Sequence, residues 1–182
     1  MLFHSQTSVR ILTLSKLKFF STETRVNIHH LDHGVRHVEL NRPEKLNSLD
    51  MKMFHAIADA AMQIRTDKSV RAVIISGKGR AFCTGLDVAS IITPSREYGV
   101  LPKGKMDRLL ERPSGYERQT DENDSSDSGA NGNLAQDIAY LWRDIPVPVI
   151  AVLTGMCFGG GLQLALGADL RYATTDCKIS GK

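Results

Sequence analysis

Three consecutive glycines at positions 159–161 separate an apolar, β-branched run at 147–152 from a helix-favouring run at 162–166. The pattern predicts a buried strand, a tight turn and the start of a helix. Glycines at such a turn let a ligand approach the backbone, and the amides of the first helical turn lack intrahelical acceptors. The chemistry on offer is stabilisation of developing negative charge by backbone N–H groups. A second turn of this kind lies upstream at Gly79-Arg-Ala-Phe-Cys-Thr-Gly-Leu-Asp87, after the apolar segment Arg71-Ala-Val-Ile-Ile-Ser76. Two strand-end turns can converge two amides on one oxygen.

With Asn41-Arg-Pro-Glu-Lys-Leu-Asn-Ser-Leu-Asp50, these motifs stand in the order and spacing of a known family. The sequence resembles the enoyl-CoA hydratase/isomerase (crotonase) superfamily over residues 26–179. The resemblance implies an α/β fold, a spiral of stacked ββα turns. It implies an oxyanion hole made by the amides of Leu86, which precedes Asp87, and of Gly160, the middle glycine. It also implies a coenzyme A site lined by Lys45 and Leu46 and by the segment containing Ala81, Cys83, Gly85, Asp87, Val88 and Ala89. No separate cofactor is expected, because coenzyme A belongs to the substrate. In other enzymes one such amide donor contributes about 2.7–4 kcal/mol to the transition state.

Two departures from the family pattern bear on the reaction. Family hydratases carry a glutamate three residues after the middle glycine, where this sequence has Gln163. An amide orients water but does not accept and return a proton near neutral pH. The second family carboxylate would fall beyond Lys182, after a strand expected at Asp176-Cys-Lys-Ile-Ser180. The resemblance therefore implies an incomplete spiral, a C-terminally truncated member without the C-terminal helical region. Full-length relatives of this kind form trimers or hexamers.

Composition excludes several other classes. With 23 basic and 20 acidic residues, the net charge of +3 is too small to point to nucleic acid. The excess sits in residues 1–22, which hold Arg10, Lys16 and Lys18 and no acid. That stretch, basic and rich in Ser and Thr, reads as a mitochondrial transit peptide, with the matrix as destination. No run is long and apolar enough to predict a membrane span. Cys83, Cys157 and Cys177 form no C-x-x-C pair and suit a reducing compartment.

The elements that must position the glycine turns are legible from periodicity. Residues 26–31 and 35–40 predict paired strands turning at Asp32-His-Gly34. Ser48 or Asp50 is placed to cap a helix with the stripe Met53, Ile57, Ala60 or Ala61, and Ile64. A strand is expected at 70–76, an irregular polar insertion at about 93–133, a short helix at 134–143 and a strand at 169–173. These alternations predict an α/β domain at 23–182.

Other motifs have plainer readings. His29, His33 and His37 would meet as metal ligands on a helix, but Gly34 and the alternation favour a hairpin. Gly77-Lys78-Gly79 lacks the surrounding phosphate-loop pattern, and Leu164 stands where a dinucleotide fingerprint needs its third glycine. Asp87 suits a turn or a cap better than an acid catalyst. Cys83 and Cys157 read as small buried residues rather than nucleophiles. The family resemblance implies one of two functions. One is an enzyme of fatty acid metabolism, a hydratase or double-bond isomerase of acyl-CoA thioesters. The other is a non-catalytic acyl-CoA-binding or subunit-pairing form that keeps the cradle without the carboxylates.

Overall fold

The computed structural model describes residues 24–92, 105–110 and 133–181. The leader expected at 1–22 and most of the insertion at 93–133 lie outside them. The hairpin forms as the sequence predicts: β1 (Val26–His30) pairs antiparallel with β2 (Val35–Leu40). The turn places His33 and Gly34 at positive φ, 60° and 79°. His29 and His37 are direct cross-strand partners with ring centroids 5.3 Å apart, whereas His33 sits in the turn. Spacing by four therefore does not gather the three side chains, which a helix would have done.

The strands β3 (Ala72–Gly77), β4 (Val149–Leu153) and β6 (Leu170–Ala173) extend this hairpin as a five-stranded sheet in the order β1-β2-β3-β4-β6. All pairings after the hairpin are parallel. One sheet face carries Val38, Leu40, Val73, Ile75, Val149 and Ala151, all buried. It packs on α1 (Met51–Thr66), whose buried residues Met53, Phe54, Ile57, Ala60, Ala61 and Ile64 form the expected stripe. Asp50 is the cap, accepting from Met53 N at 2.8 Å. Helix α4 (Leu134–Tyr140) starts with a reciprocal Asn133/Gln136 capping box and passes into a 3-10 turn, Leu141–Asp144, that buries Trp142.

A second, smaller β layer makes the repeat. Leu49 bridges Leu86, Cys83 bridges Cys157, and β5 (Met156–Phe158) pairs in parallel with β7 (Lys178–Ser180). Strands β2, β3, β4 and β6 are each followed by a short extended piece and, in three cases, a helix. The triples are β2, Leu49, α1; then β3, residues 83–86, α2 (Val88–Ile92); then β4, β5, α5 (Gly160–Leu166). This is the crotonase-type ββα spiral, a mixed α/β fold. The structure departs from expectation in two places. Strand β5 intervenes between Gly155 and the glycine triplet, where a bare turn was expected. Within the insertion, Lys105–Leu110 is a helix, α3, that buries Leu109 in the core.

Candidate functional site

The spiral brings the two glycine turns together. Residues 83–86 run between two neighbours: Leu49 on one side, through the Leu49–Leu86 bridge, and β5 on the other, through the Cys83–Cys157 bridge. Leu49 N donates to Gly85 O at 2.8 Å, and Asp87 N donates to Leu49 O at 3.0 Å. A trans peptide points its C=O and its N–H in opposite directions. With the Gly85 carbonyl turned towards Leu49, the Leu86 N–H must point away from it, to the side of β5 and the glycine triplet.

On that side the β5 ladder has just ended. Phe158 N donates to Cys83 O at 2.9 Å, and Gly159, at φ 48°, then turns the chain into α5. Gly160 opens α5, so its N–H has no intrahelical acceptor. Neither the Leu86 nor the Gly160 amide donates to an acceptor among the described residues. Gly85 explains how close the turns come: a Cβ there would lie 3.3 Å from Gly160 N and 2.9 Å from Phe158 O. Its φ of 83° also favours glycine. Two unclaimed donors on adjacent turns can hold one acceptor oxygen.

The remaining candidate residues fall into two groups. Lys45 and Gln163 are exposed, Lys45 at the end of the 3-10 turn Pro43–Lys45 and Gln163 in the first turn of α5. Val88 and Ala89 are also exposed and Leu46 is half-buried, at φ 51°. These five offer surface to a ligand. Ala81 and Cys83 do not, contrary to the expectation that they line it: both are 0% exposed. Their backbones are engaged as well, Ala81 O by Asn47 Nδ2 at 2.8 Å and Cys83 N and O by β5. They frame the site from within the core.

Asp87 likewise turns inward. Its Oδ2 accepts from Arg42 Nη2 at 2.8 Å and its Oδ1 from Ser90 N at 3.2 Å, which makes it the cap of α2. Burial pushes this carboxyl upward, but the Arg42 and Ser90 hydrogen bonds and the Arg42 and Lys45 charges outweigh it and hold the group below the ordinary range. An acid held ionised in this way is a poor proton donor near neutrality. The thiols are equally unsuited to chemistry. Burial raises Cys83 to about 12 and Cys157 to about 11, so neither supplies a thiolate.

Sequence reasoning assigned no role to Arg42 or Asn47, although both lie in the quoted 41–50 segment. Asn47 is fully buried at φ 55° and ties the segment together. Its Oδ1 accepts from Arg42 N at 2.8 Å, and its Nδ2 donates to Lys78 O and Ala81 O. The signal available was weak: an Asn near a turn tolerates the left-handed region better than most residues.

The enoyl-CoA hydratase/isomerase family is matched over residues 35–180. The chain belongs to that family. A probable enoyl-CoA hydratase of Mycobacterium tuberculosis is 33% identical over 155 residues, covering 85% of this chain and 47% of the relative. The mouse mitochondrial Δ(3,5)-Δ(2,4)-dienoyl-CoA isomerase is 30% identical over 156 residues, covering 78% and 38%. Among solved structures, a monofunctional enoyl-CoA isomerase from M. smegmatis superposes with a TM-score of 0.58 at 26% identity, covering 86% of this chain and 53% of that one. The chain spans about half the length of the relatives it matches.

Proposed function

We propose that this protein handles acyl-CoA thioesters, with the Leu86 and Gly160 amides donating to the thioester oxygen as it gains enolate character. The observation that carries the proposal is that the Leu86 and Gly160 amides, brought together at Gly85, have no acceptor among the described residues. Family membership supports the substrate class. The exposed Lys45 and the open rim at Leu46, Val88 and Ala89 suit the polar and apolar parts of such a ligand. Hydration would add water across the C2–C3 double bond, and isomerisation would move a proton from C2 to C4. Both pass through charge on the thioester oxygen, which is where preorganised donors act. The basic leader supports a mitochondrial matrix location, and the family supports assembly as a trimer or hexamer.

The test is an absorbance assay of the full chain with trans-2-enoyl-CoA for hydration and cis-3-enoyl-CoA for isomerisation, alongside calorimetric titration of the same thioesters. Turnover of either supports the enzyme reading. The absence of both binding and turnover overturns the proposal.

Gln163 favours a second reading, thioester binding without hydration, since its amide cannot cycle a proton. Gln163→Glu separates the two. In a site whose only hydratase defect is this residue, the substitution should raise hydration above the wild-type level. Binding by both forms with no hydration from either leaves the non-catalytic reading in place.

A further inference from the structure

The Leu86 amide is set by one residue, Leu49, and both segments that meet there are loops rather than ladders. A buried arginine adds a side-chain tie to the few backbone hydrogen bonds between these loops. Arg42 is 7% exposed, and its guanidinium reaches both sides of the Leu49–Leu86 bridge. Nη1 donates to Ser48 O at 3.0 Å and Ser48 Oγ at 3.2 Å, immediately before Leu49. Nη2 donates to Asp87 Oδ2 at 2.8 Å, immediately after Leu86, and lies 3.5 Å from Asp50 Oδ2. Arg25 Nη2, at 2.9 Å from the same Asp50 oxygen, completes the cluster.

We infer that Arg42, acting through Asp87, is the positioning residue that aims the Leu86 N–H at the acceptor oxygen. The inference rests on the acyl-CoA reading above. A buried ion pair recovers little net stability after desolvation, so geometry is the better account of its presence here. Arginine suits the task because its planar fork fixes several acceptors at once, which a lysine ammonium does not. If the pair is lost, no side chain ties Asp87 to the 42–50 loop, and the Leu86 segment is held there by backbone and Thr84 contacts alone: Leu49 N to Gly85 O, Asp87 N to Leu49 O, and Thr84 to Leu46 O. A donor turned away from the oxygen would lose its polarising effect while the rest of the ligand stays bound.

The experiment uses the full chain and a trans-2-enoyl-CoA carrying 13C at the thioester carbonyl. Isotope-edited infrared spectroscopy reads polarisation of that bond, and calorimetry reads affinity. In the wild type the bound carbonyl band should lie below its position in water. Asp87→Asn keeps the shape and the Ser90 cap acceptor but removes the charge; it should lose most of the shift with affinity nearly unchanged. Arg42→Gln and the double variant should lose the same amount, because the two residues act as a unit. Arg42→Lys should restore part of it. Asp67→Asn, which breaks a different arginine pair remote from the glycine turns, should leave the shift intact. Retention of the full shift in Asp87→Asn and Arg42→Gln overturns the inference, as does an equal loss in Asp67→Asn, which would mark general loosening. A wild type that binds with no shift, or fails to bind, overturns the amide reading itself and this inference with it.

Discussion

Two buried arginines in this protein make nearly the same ion pair and hold very different things. Arg36 and Arg42 are each 7% exposed. Arg36 meets Asp67 at 2.9 Å, and Arg42 meets Asp87 at 2.8 Å. Arg36 lies on β2 and Asp67 caps the end of α1, so the pair joins two elements already held by their own backbone ladders. Arg42 and Asp87 lie in loops whose backbones meet at single-residue bridges. Solvent access differs as well: the Asp67 side chain is 34% exposed and that of Asp87 is 12%. The same chemistry is an accessory where hydrogen-bond ladders set the geometry, and it takes over the ladder's task where they do not.

The largest effect should separate the arginines directly. Arg42→Ala leaves Asp87 buried without its partner and strips Ser48 O of its side-chain donor. Removing one member of a buried pair costs about 3–5 kcal/mol. Arg36→Ala should cost clearly less, because Asp67 can take water and keeps its Ser69 hydrogen bonds. Urea unfolding of both variants measures the difference. Equal losses would break the comparison, showing that the ladder around Arg36 does not compensate.

Each region also contains a glycine at positive φ, and these give the next prediction. Gly34 has φ 79° and Gly85 φ 83°. An alanine at either position carries a left-handed backbone cost of about 1–2 kcal/mol before any clash. A Cβ at Gly34 would meet Ser69 O at 2.6 Å, whereas one at Gly85 would stand beside Phe158 O and Gly160 N. Thermal melts should therefore show both variants weakened. Only Gly85→Ala should lose the infrared shift of a bound thioester carbonyl, since its methyl group crowds the Gly160 amide. A full carbonyl shift in Gly85→Ala would move the ligand away from this pair of turns.

The sequence made the frame of the site legible, but not what stabilises it. The hairpin, α1 with its Asp50 cap and the strands around both glycine turns carry strong local signals: alternation, a stripe of period 3.6, and glycine punctuation. Those signals located the two glycine turns, and the family resemblance then singled out Leu86 and Gly160 within them. Strand β5 escaped because three residues, Met156–Phe158, are too few to show a period. Helix α3 was hidden in a stretch whose overall polarity suggested only a loop. The Arg42–Asp87 pair escaped for a different reason. Its members are 45 residues apart and meet only because the spiral stacks one turn on the next. Ala81 and Cys83 were given ligand-facing roles because the family resemblance places their segment along the coenzyme A site. Which side of an extended segment faces inward depends on register, and one residue of slip reverses it.

Titration offers the smallest and sharpest test of the difference between the two pairs. Asp67 is held down at about 2, first by the Ser69 hydroxyl, then by the Ser69 N–H and Arg36, against a small opposing burial effect. Asp87 is also held low, but there burial is the largest single influence and pushes upward, so its low value depends on Arg42 and Ser90. A carboxyl lowered on folding contributes stability above its unfolded pKa, near 3.9, and loses it as pH falls through the folded value. For Asp67 that loss falls between about pH 4 and pH 2. The carboxylates should respond oppositely when their arginines go. In Arg36→Gln, Asp67 should remain below the ordinary range, kept there by Ser69. In Arg42→Gln, Asp87 should rise to or above it, because burial then meets less opposition. Carboxyl 13C NMR titrations of the two variants read both values directly. If Asp87 stayed low without Arg42, the loops would be holding it by means other than the ion pair, and the distinction between accessory and essential pairs would fail at its own centre.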